Sequence, residues 1–237
     1  MDIQIIIPTY NERDNLPSLV RTILARDGYR VMIVDDNSPD GTGEAADNLA
    51  REFPGRVDVV HRTGARGLGR SYVEGLQRAV AGTADAICQM DADWSHDPQY
   101  LPDMVAAVGA HDVVIGSRYM HGVSVVNWPL RRLILSAFAN RYIRAITRLR
   151  AQDCTSGYRC WRRETLALLP LERVVSEGYA FLVEMLYEAA RRGARVGEVP
   201  IIFVERRQGV SKLSTGVLME SILTPWRLVL RDVLSRR

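Results

Sequence analysis

The sequence predicts an α/β domain with a mostly parallel central sheet and helices on both faces. Three observations carry this prediction. Short apolar runs alternate with helical stretches through the first half of the chain. Turn residues such as NSPDGT stand between them, and three of the runs end at or shortly before acidic residues. The 237 residues suffice for one large domain or two small ones with a sizeable core.

Taken in order, IQIIIP (3–8) reads as a strand and residues 14–25 as a helix. YRVMIVDD (29–36) is a second strand, followed by a helix over 43–52. VDVVHR (57–62) is a third strand, with a third helix over 68–81. DAICQMD (85–91) is a fourth strand, then a helix started by Pro98 and running to about 108, and DVVIGSR (112–118) is a fifth strand. The second half is less regular. Residues 129–149 and 177–193 read as long helices, the latter closed by Gly193, and 194–207 as a returning strand. The tail is amphipathic, and Pro225 is expected to kink or break it. The division expected is a body over 1–212 and an amphipathic C-terminal tail over 213–237, with no internal repeat and no low-complexity linker.

Composition excludes several classes of function. Hydrophobic residues make up 47% and charged residues 25%, the balance of a soluble globular chain. A net charge of +3 gives no argument for nucleic acid, and no nucleic-acid partner is expected. Arginine dominates the basic residues and is concentrated: Arg131, Arg132, Arg141, Arg144, Arg148 and Arg150 fall within twenty residues, with Arg118 just upstream. Cys88, Cys154 and Cys160 show neither CxxC spacing nor a pairing pattern, which points to a reducing compartment without zinc. The N-terminus reads as neither a signal peptide nor a membrane span, and no apolar run is long enough to cross a bilayer.

The chemistry is expected where strands end. Residues i and i+2 of a strand point the same way, so Asp91 and Asp93 project together if the fourth strand persists that far. Paired carboxylates repel unless a cation lies between them, and Mg2+ or Mn2+ is typically held by one or two carboxylates plus phosphate oxygens. The alternative is a solvated, Asp-rich turn before the helix at Pro98. Glu12, Asp35 and Asp36 fall at the same sheet edge, where open α/β sheets bind ligands. Such carboxylates can accept from ribose hydroxyls and base N–H groups. Arg132, Ser136 and Asn140 recur every four residues on one helix face, suited to a phosphate or, equally, forming a polar surface stripe. TGARGLGRS (63–71) has the order GxxGxG and reads as a loop feeding a helix. His96 reads as a turn histidine, and His61, His111 and His121 form no triad. Glu184 lies in an apolar helical stretch, where a carboxylate is costly unless paired.

The serial stretches IIIPTYNERDNLPSLV, VMIVDDNSPDGTGE, QMDADWSHDP, VIGSRY, NWPLRRLILS, DCTSGYRC, EGYAFLVEML and ERRQGVSKL resemble glycosyltransferase family 2. The match runs in register from about residue 3 to 215, and the SRY, NWPLRR and GxSKL elements narrow it to the polyprenol-phosphate (dolichol-phosphate) mannosyltransferase group. That resemblance implies a Rossmann-like GT-A fold and inverting transfer of mannose from GDP-mannose to a polyprenol phosphate. It places Pro8, Tyr10, Glu12, Asp35 and Asp36 at the nucleoside, and Asp91, Ala92 and Asp93 at the metal and diphosphate. Arg206 and Lys212 would contact the donor, while Arg118, Arg132 and Ser136 would hold the acceptor phosphate. Asp93, Arg118 and Arg132 are the expected catalytic residues, Asp91 and Asp93 the metal ligands, and Ser95, Asp153 and Ser156 further candidates. The implied setting is the cytoplasmic face of a membrane, bound peripherally or through a separate membrane subunit. Apolar faces bearing Leu133, Ala137, Tyr142 and Ile146, and Leu218, Ile222, Trp226 and Leu230, are candidates to meet the bilayer, or to pack on the domain's own core. Alternatives are a relative using UDP-glucose or UDP-N-acetylhexosamine, and a non-catalytic nucleotide-sugar-binding scaffold. A sugar-nucleotide pyrophosphorylase would carry a Gly-rich phosphate loop where this chain has PTYNERDN.

Overall fold

The structure is a computed structural model that describes residues 1–174, 176, 178–204 and 215–235. The strands are β1 (Ile3–Thr9), β2 (Tyr29–Asp35), β3 (Val57–His61), β4 (Ala86–Gln89), β5 (Val113–Ser117), β6 (Val125–Val126), β7 (Arg159–Arg162), β8 (Val196–Pro200) and β9 (Phe203–Val204). The helices are α1 (Leu16–Leu24), α2 (Thr42–Glu52), α3 (Leu68–Val80), α4 (Leu101–Val108), α5 (Leu130–Thr147), α6 (Arg163–Ala167), α7 (Gly178–Arg191) and α8 (Thr215–Ser235). A seven-stranded sheet has the order β3-β2-β1-β4-β7-β5-β8, and β6 pairs with β9 in a small second sheet.

The central strands are apolar on both faces because helices cover both. In β1, Ile5 and Ile7 enter a core with α1, α2 and α4, whereas Ile6 between them enters a core with α3, α5, α6, α7 and α8. Helix α1 shows how each helix is fixed. Pro17 stands in its first turn, and Leu16, Leu19, Val20 and Ile23 recur at helical spacing as its buried stripe. Every pairing in the large sheet is parallel except those of β7, which runs antiparallel between β4 and β5. The C-terminal ends of the parallel strands and the loop entering β7 therefore share one edge.

Several expectations need correction. The fourth strand ends at Gln89, short of Asp91, and DCTSGYRC (153–160) is not all loop, since Arg159 and Cys160 begin β7. The returning strand expected over 194–207 is two pieces in its described part, β8 and β9, with 205–207 outside the described residues, and α8 is not broken at Pro225. Two glutamates of α7 face arginines of α8. Arg231 lies 3.3 Å and Arg227 3.7 Å from Glu184, and Glu188 pairs with Arg231 and Arg192. Glu184 thus fastens the C-terminal helix rather than reaching the strand-end edge. Cys88 and Cys160 stand opposite each other across β4 and β7, their Sγ atoms 2.7 Å apart, as buried free thiols.

One close approach sets the seat of α3 on the sheet. A Cβ at Gly75 would lie 2.6 Å from Ile6 Cγ2 and 3.0 Å from Val34 Cγ2. Gly75→Ala must therefore push α3 off β1 and β2, and overpacking of this kind costs about 1–3 kcal/mol. The expected result is a melting temperature lowered by roughly 2–10 °C, checked by calorimetry. An unchanged melting temperature would show that the helix shifts freely.

Candidate active site at the strand-end edge

At the end of β1 and β2 the acidic residues are already engaged. Buried Asp35 accepts from Thr9 Oγ1 (3.1 Å), from Ser38 Oγ (2.6 Å) and from the Ser38 backbone N–H (3.1 Å), which shapes the turn after β2. Asp36, also buried, forms an ion pair with Arg62 and accepts from the Gly67 backbone N–H at 2.8 Å. Arg62 in turn reaches Glu74 at 3.0 Å. Beside them Arg66 bridges the two loops: Nη1 donates to Tyr10 Oη at 2.7 Å, and the guanidinium lies 4.7 Å from the Tyr10 ring centroid. Glu12 accepts from Asn15 Nδ2 at 2.8 Å, while its backbone N–H donates to Thr42 Oγ1. Pro8 is buried within β1. Glu12, Asp35 and Asp36 lie at or just past the ends of β1 and β2 at one edge, as the sequence suggested, but it did not anticipate that Arg62 and Arg66 come back over them.

Asp91 and Asp93 do not share a strand. The chain after β4 is bent, with Trp94 at φ 64°, so strand alternation does not align them. A turn does the placing instead. Ser95 donates to Asp93 Oδ1 through Oγ (2.5 Å) and backbone N–H (3.1 Å), and Tyr72 donates to Asp91 Oδ1 at 2.7 Å. His96 is the hub: its Nδ1 accepts from the Asp91 backbone N–H at 3.0 Å, and its ring stacks on Tyr158 at 4.9 Å. Burial lowers the His96 pKa against the raising influence of Asp91 and Asp93, so the ring is neutral and acts as a brace. Burial pushes the Tyr72 hydroxyl far above its usual range, aided by Asp91, so it stays a donor. Ala92 and the Asp93 side chain are buried, whereas the Asp91 side chain is 32% exposed.

Among the described residues, no cluster of three or more His, Cys, Asp or Glu side chains could hold a metal ion. Asp91 and Asp93 offer two hard oxygen donors, a set that fits Mg2+ or Mn2+ when diphosphate and water supply the remaining ligands.

Arg118, at the end of β5, is buried. Its Nε and Nη2 form a two-pronged pair with Asp153, each at 2.7 Å, and Nη2 also donates to Thr155 Oγ1 at 2.8 Å. The guanidinium sits among rings, 5.5 Å from Trp128, 5.6 Å from Tyr119 and 5.6 Å from Phe203. Arg132, in the first turn of α5, lies 4.2 Å from the same Trp128 ring. Ser136 accepts from Tyr119 Oη at 2.7 Å. Asn140, one turn further, donates to Thr155 Oγ1 and accepts from the Cys154 backbone N–H. The helix-face reading of 132, 136 and 140 holds, and its last member anchors the 153–155 loop. Ser156 donates to the Gly116 carbonyl, a structural bond. Fully buried Arg159 donates to the carbonyls of Cys154, Ser156 and Leu182, and burial lowers its pKa to about 10. Arg206 and Lys212 lie outside the described residues.

The strand-end edge thus carries Asp91 and Asp93 on one turn, the loops after β1 and β2 with their bound acids, and two arginines around one tryptophan ring. Residues 4–168 match Glycosyl transferase family 2. The chain belongs to that family. It is 44% identical over 234 residues to the polyprenol monophosphomannose synthase of Mycolicibacterium smegmatis, covering 98% of this chain and 88% of that one. It is also 44% identical over 234 residues to the undecaprenyl-phosphate mannosyltransferase of Micrococcus luteus, covering 98% and 96%. Among solved structures it is similar to glucosyl-3-phosphoglycerate synthase from Mycobacterium tuberculosis. The complex with Mn2+, UDP and phosphoglyceric acid gives a TM-score of 0.67 at 19% identity, covering 94% and 78% of the two chains. The complex with Mg2+ and UDP gives 0.66 at 19% identity, covering 94% and 79%. The glycosyltransferase therefore has the GT-A fold.

Burial by itself would raise the Asp153 pKa, but the Arg118 charge and hydrogen bonds outweigh it and hold the carboxyl below its ordinary value. A carboxylate so depressed stabilises the folded state above its unfolded pKa of about 3.9, and that stability is lost as pH falls through the folded value. Asp153→Asn strands the buried Arg118 charge, so urea unfolding near neutral pH should show a loss of about 3–5 kcal/mol. The same variant should show a shallower loss of stability on acidification than the wild type. Parallel acid limbs in the two proteins would assign the pair no part in the pH dependence.

Proposed function

We propose that this glycosyltransferase transfers mannose from GDP-mannose to a polyprenol phosphate, with inversion, giving polyprenyl-phosphate-mannose. The observation that carries the reading is the pairing of Arg118 and Arg132 on one Trp128 ring, on the sheet edge that also carries Asp91 and Asp93. The two relatives named as polyprenol-linked mannose enzymes support the sugar and the acceptor.

The acceptor's chemistry explains the residues. A phosphate monoester has its second pKa near 6 and is largely ionised at neutral pH, so its oxygen needs no strong base to attack. What it needs is orientation and charge compensation. Arg132 takes one side of the phosphate, with Ser136 one turn on. Arg118, its plane fixed by Asp153, takes the other. The phosphate oxygen attacks the anomeric carbon from the face opposite the diphosphate, and the C–O bond to GDP breaks as the new one forms. Mg2+ or Mn2+ bound to Asp91 and Asp93 would neutralise charge on the departing diphosphate. Tyr72 and Ser95 hold those carboxylates in place, and His96 braces the Asp91 backbone. On this reading Pro8, Tyr10, Glu12, Asp35, Asp36 and Ala92 serve the nucleoside side, and Arg206 and Lys212, outside the described residues, are the further donor contacts that the family resemblance implies. A peripheral position at the cytoplasmic face suits the lipid acceptor and the reduced Cys88 and Cys160. No described helix is long and apolar enough to cross a membrane, and a separate membrane subunit would be one means of attachment. On this reading the catalytic domain spans 1–212, and 213–237 is the membrane-directed tail.

Radiolabel transfer from GDP-mannose, UDP-glucose and UDP-N-acetylglucosamine into organic-extractable lipid tests the assignment. GDP-mannose should be the productive donor, and EDTA should abolish transfer. Asp93→Ala and Arg132→Ala should each lower turnover by about 10²–10³-fold while the melting temperature holds. Productive transfer from a uridine donor in place of GDP-mannose would overturn the donor, and near-normal turnover of either variant would overturn that residue's role.

A further inference from the structure

Away from the strand-end edge, the C-terminal ends of α5 and α7 and the flank of α8 enclose a cleft of about 920 Å3. Its apolar wall includes Ile146, Tyr187, Val229 and Val233, and four arginines stand at it: Arg148, Arg150, Arg191 and Arg195. Two of these are matched, Arg191 to Asp232 at 2.8 Å and Arg195 to Asp112 at 3.0 Å. Arg148 and Arg150 are exposed and make no ion pair with any described residue. No such partner exists nearby in sequence either, because the chain carries no Asp or Glu between Asp112 and Asp153.

The outward side of α5 changes character along its length. Its first half exposes Leu130 (69%), Ile134 (60%) and Phe138 (65%), and its second half exposes Arg141, Arg144 and, at the cap, Arg148. The 18-residue helix is roughly 27 Å long, with Arg132 at one end and the arginine-lined cleft at the other. Helix α8 continues the apolar surface with Ile222, Trp226, Leu230 and Val233, all exposed. Tyr142 ties the two helices, donating to the Ile222 carbonyl at 2.9 Å and accepting from Trp226 Nε1 at 3.0 Å. Val233 belongs both to this surface and to the cleft wall. The apolar face expected from sequence on α5 therefore differs from the exposed one: Ile134 and Phe138 point out, while Leu133, Tyr142 and Ile146 are partly covered.

We propose that this cleft binds the headgroup of an anionic phospholipid, with Arg148 and Arg150 on its phosphate and Arg144 beside it. Helix α5 then lies along a bilayer, its apolar half dipping in near the acceptor arginines and its basic half resting on lipid phosphates. Charge complementarity and the contiguous apolar surface with an exposed tryptophan favour a lipid occupant over a soluble anion or a protein. The inference rests on the acceptor being presented in a bilayer.

Sedimentation of the full chain with vesicles tests it, using phosphatidylcholine alone or mixed with phosphatidylglycerol. The wild type should bind the anionic vesicles more tightly than the neutral ones, and added salt should weaken the difference. The triple variant R144Q/R148Q/R150Q should lose affinity for anionic vesicles by about a hundredfold, since each arginine near the surface contributes about one kcal/mol. The corresponding triple lysine variant should retain most of the binding. Transfer to a short, detergent-dispersed polyprenyl phosphate should be unchanged in the glutamine variant, which also shows that it folds. Equal binding of wild type and glutamine variant, indifference of the wild type to lipid charge, or burial of the patch in a stable dimer overturns the headgroup site. Failure of the wild type to use the detergent-dispersed acceptor overturns the acceptor reading, and is scored separately from vesicle binding.

Discussion

The Arg118–Asp153 pair is the interaction on which the proposed acceptor half of the site depends. Both charges are buried, so each is costly without the other, and the two-pronged geometry fixes the plane of the guanidinium. The pair also joins distant parts of the chain. Arg118 ends β5, Asp153 lies in the loop entering β7, and Thr155 and Asn140 extend the network to α5. A helix carrying Arg132 is thereby registered against the sheet through hydrogen bonds and not by apolar packing alone.

The donor half follows the same logic with different partners. Asp36 is compensated by Arg62, and Asp91 and Asp93 are held by Tyr72, Ser95 and His96. Arg62 and Tyr72 reach their carboxylates from other parts of the chain, whereas Ser95 fixes Asp93 from within the same turn. Such an edge is preorganised: its polar groups are oriented before substrate arrives, so little reorganisation remains for the reaction. The two halves meet around Phe203, whose ring touches both His96 and Trp128 edge-on, at 5.8 and 5.4 Å. A single aromatic residue from the small second sheet thus stands between the turn that carries Asp91 and Asp93 and the arginines at Trp128.

The C-terminal helix is held by charge as much as by apolar contact. Leu228 enters the core, and Glu184 and Glu188 of α7 draw in Arg227 and Arg231. That anchoring leaves the opposite side of α8 uncovered. Its exposed apolar residues join those of α5 through Tyr142, so the apolar surface continues to the basic cleft at the C-terminal end of α5.

The sequence by itself determined the alternation of strands and helices, the sheet edge at which the acids gather and the helix face shared by Arg132, Ser136 and Asn140. Those features are periodic and local: apolar spacing, turn residues and strand-end chemistry can be read within a window of a few residues. Tertiary structure alone decided the antiparallel insertion of β7, the meeting of Cys88 with Cys160, and the partners of Arg118, Asp36 and Glu184. These pairings join residues from 26 to 72 positions apart in the chain. It also replaced a strand by a turn at Asp91 and Asp93, because Tyr72 and His96 hold the carboxylate and the backbone there. A buried charge is stable only beside its compensation, and which residue supplies that compensation is settled by how the chain packs.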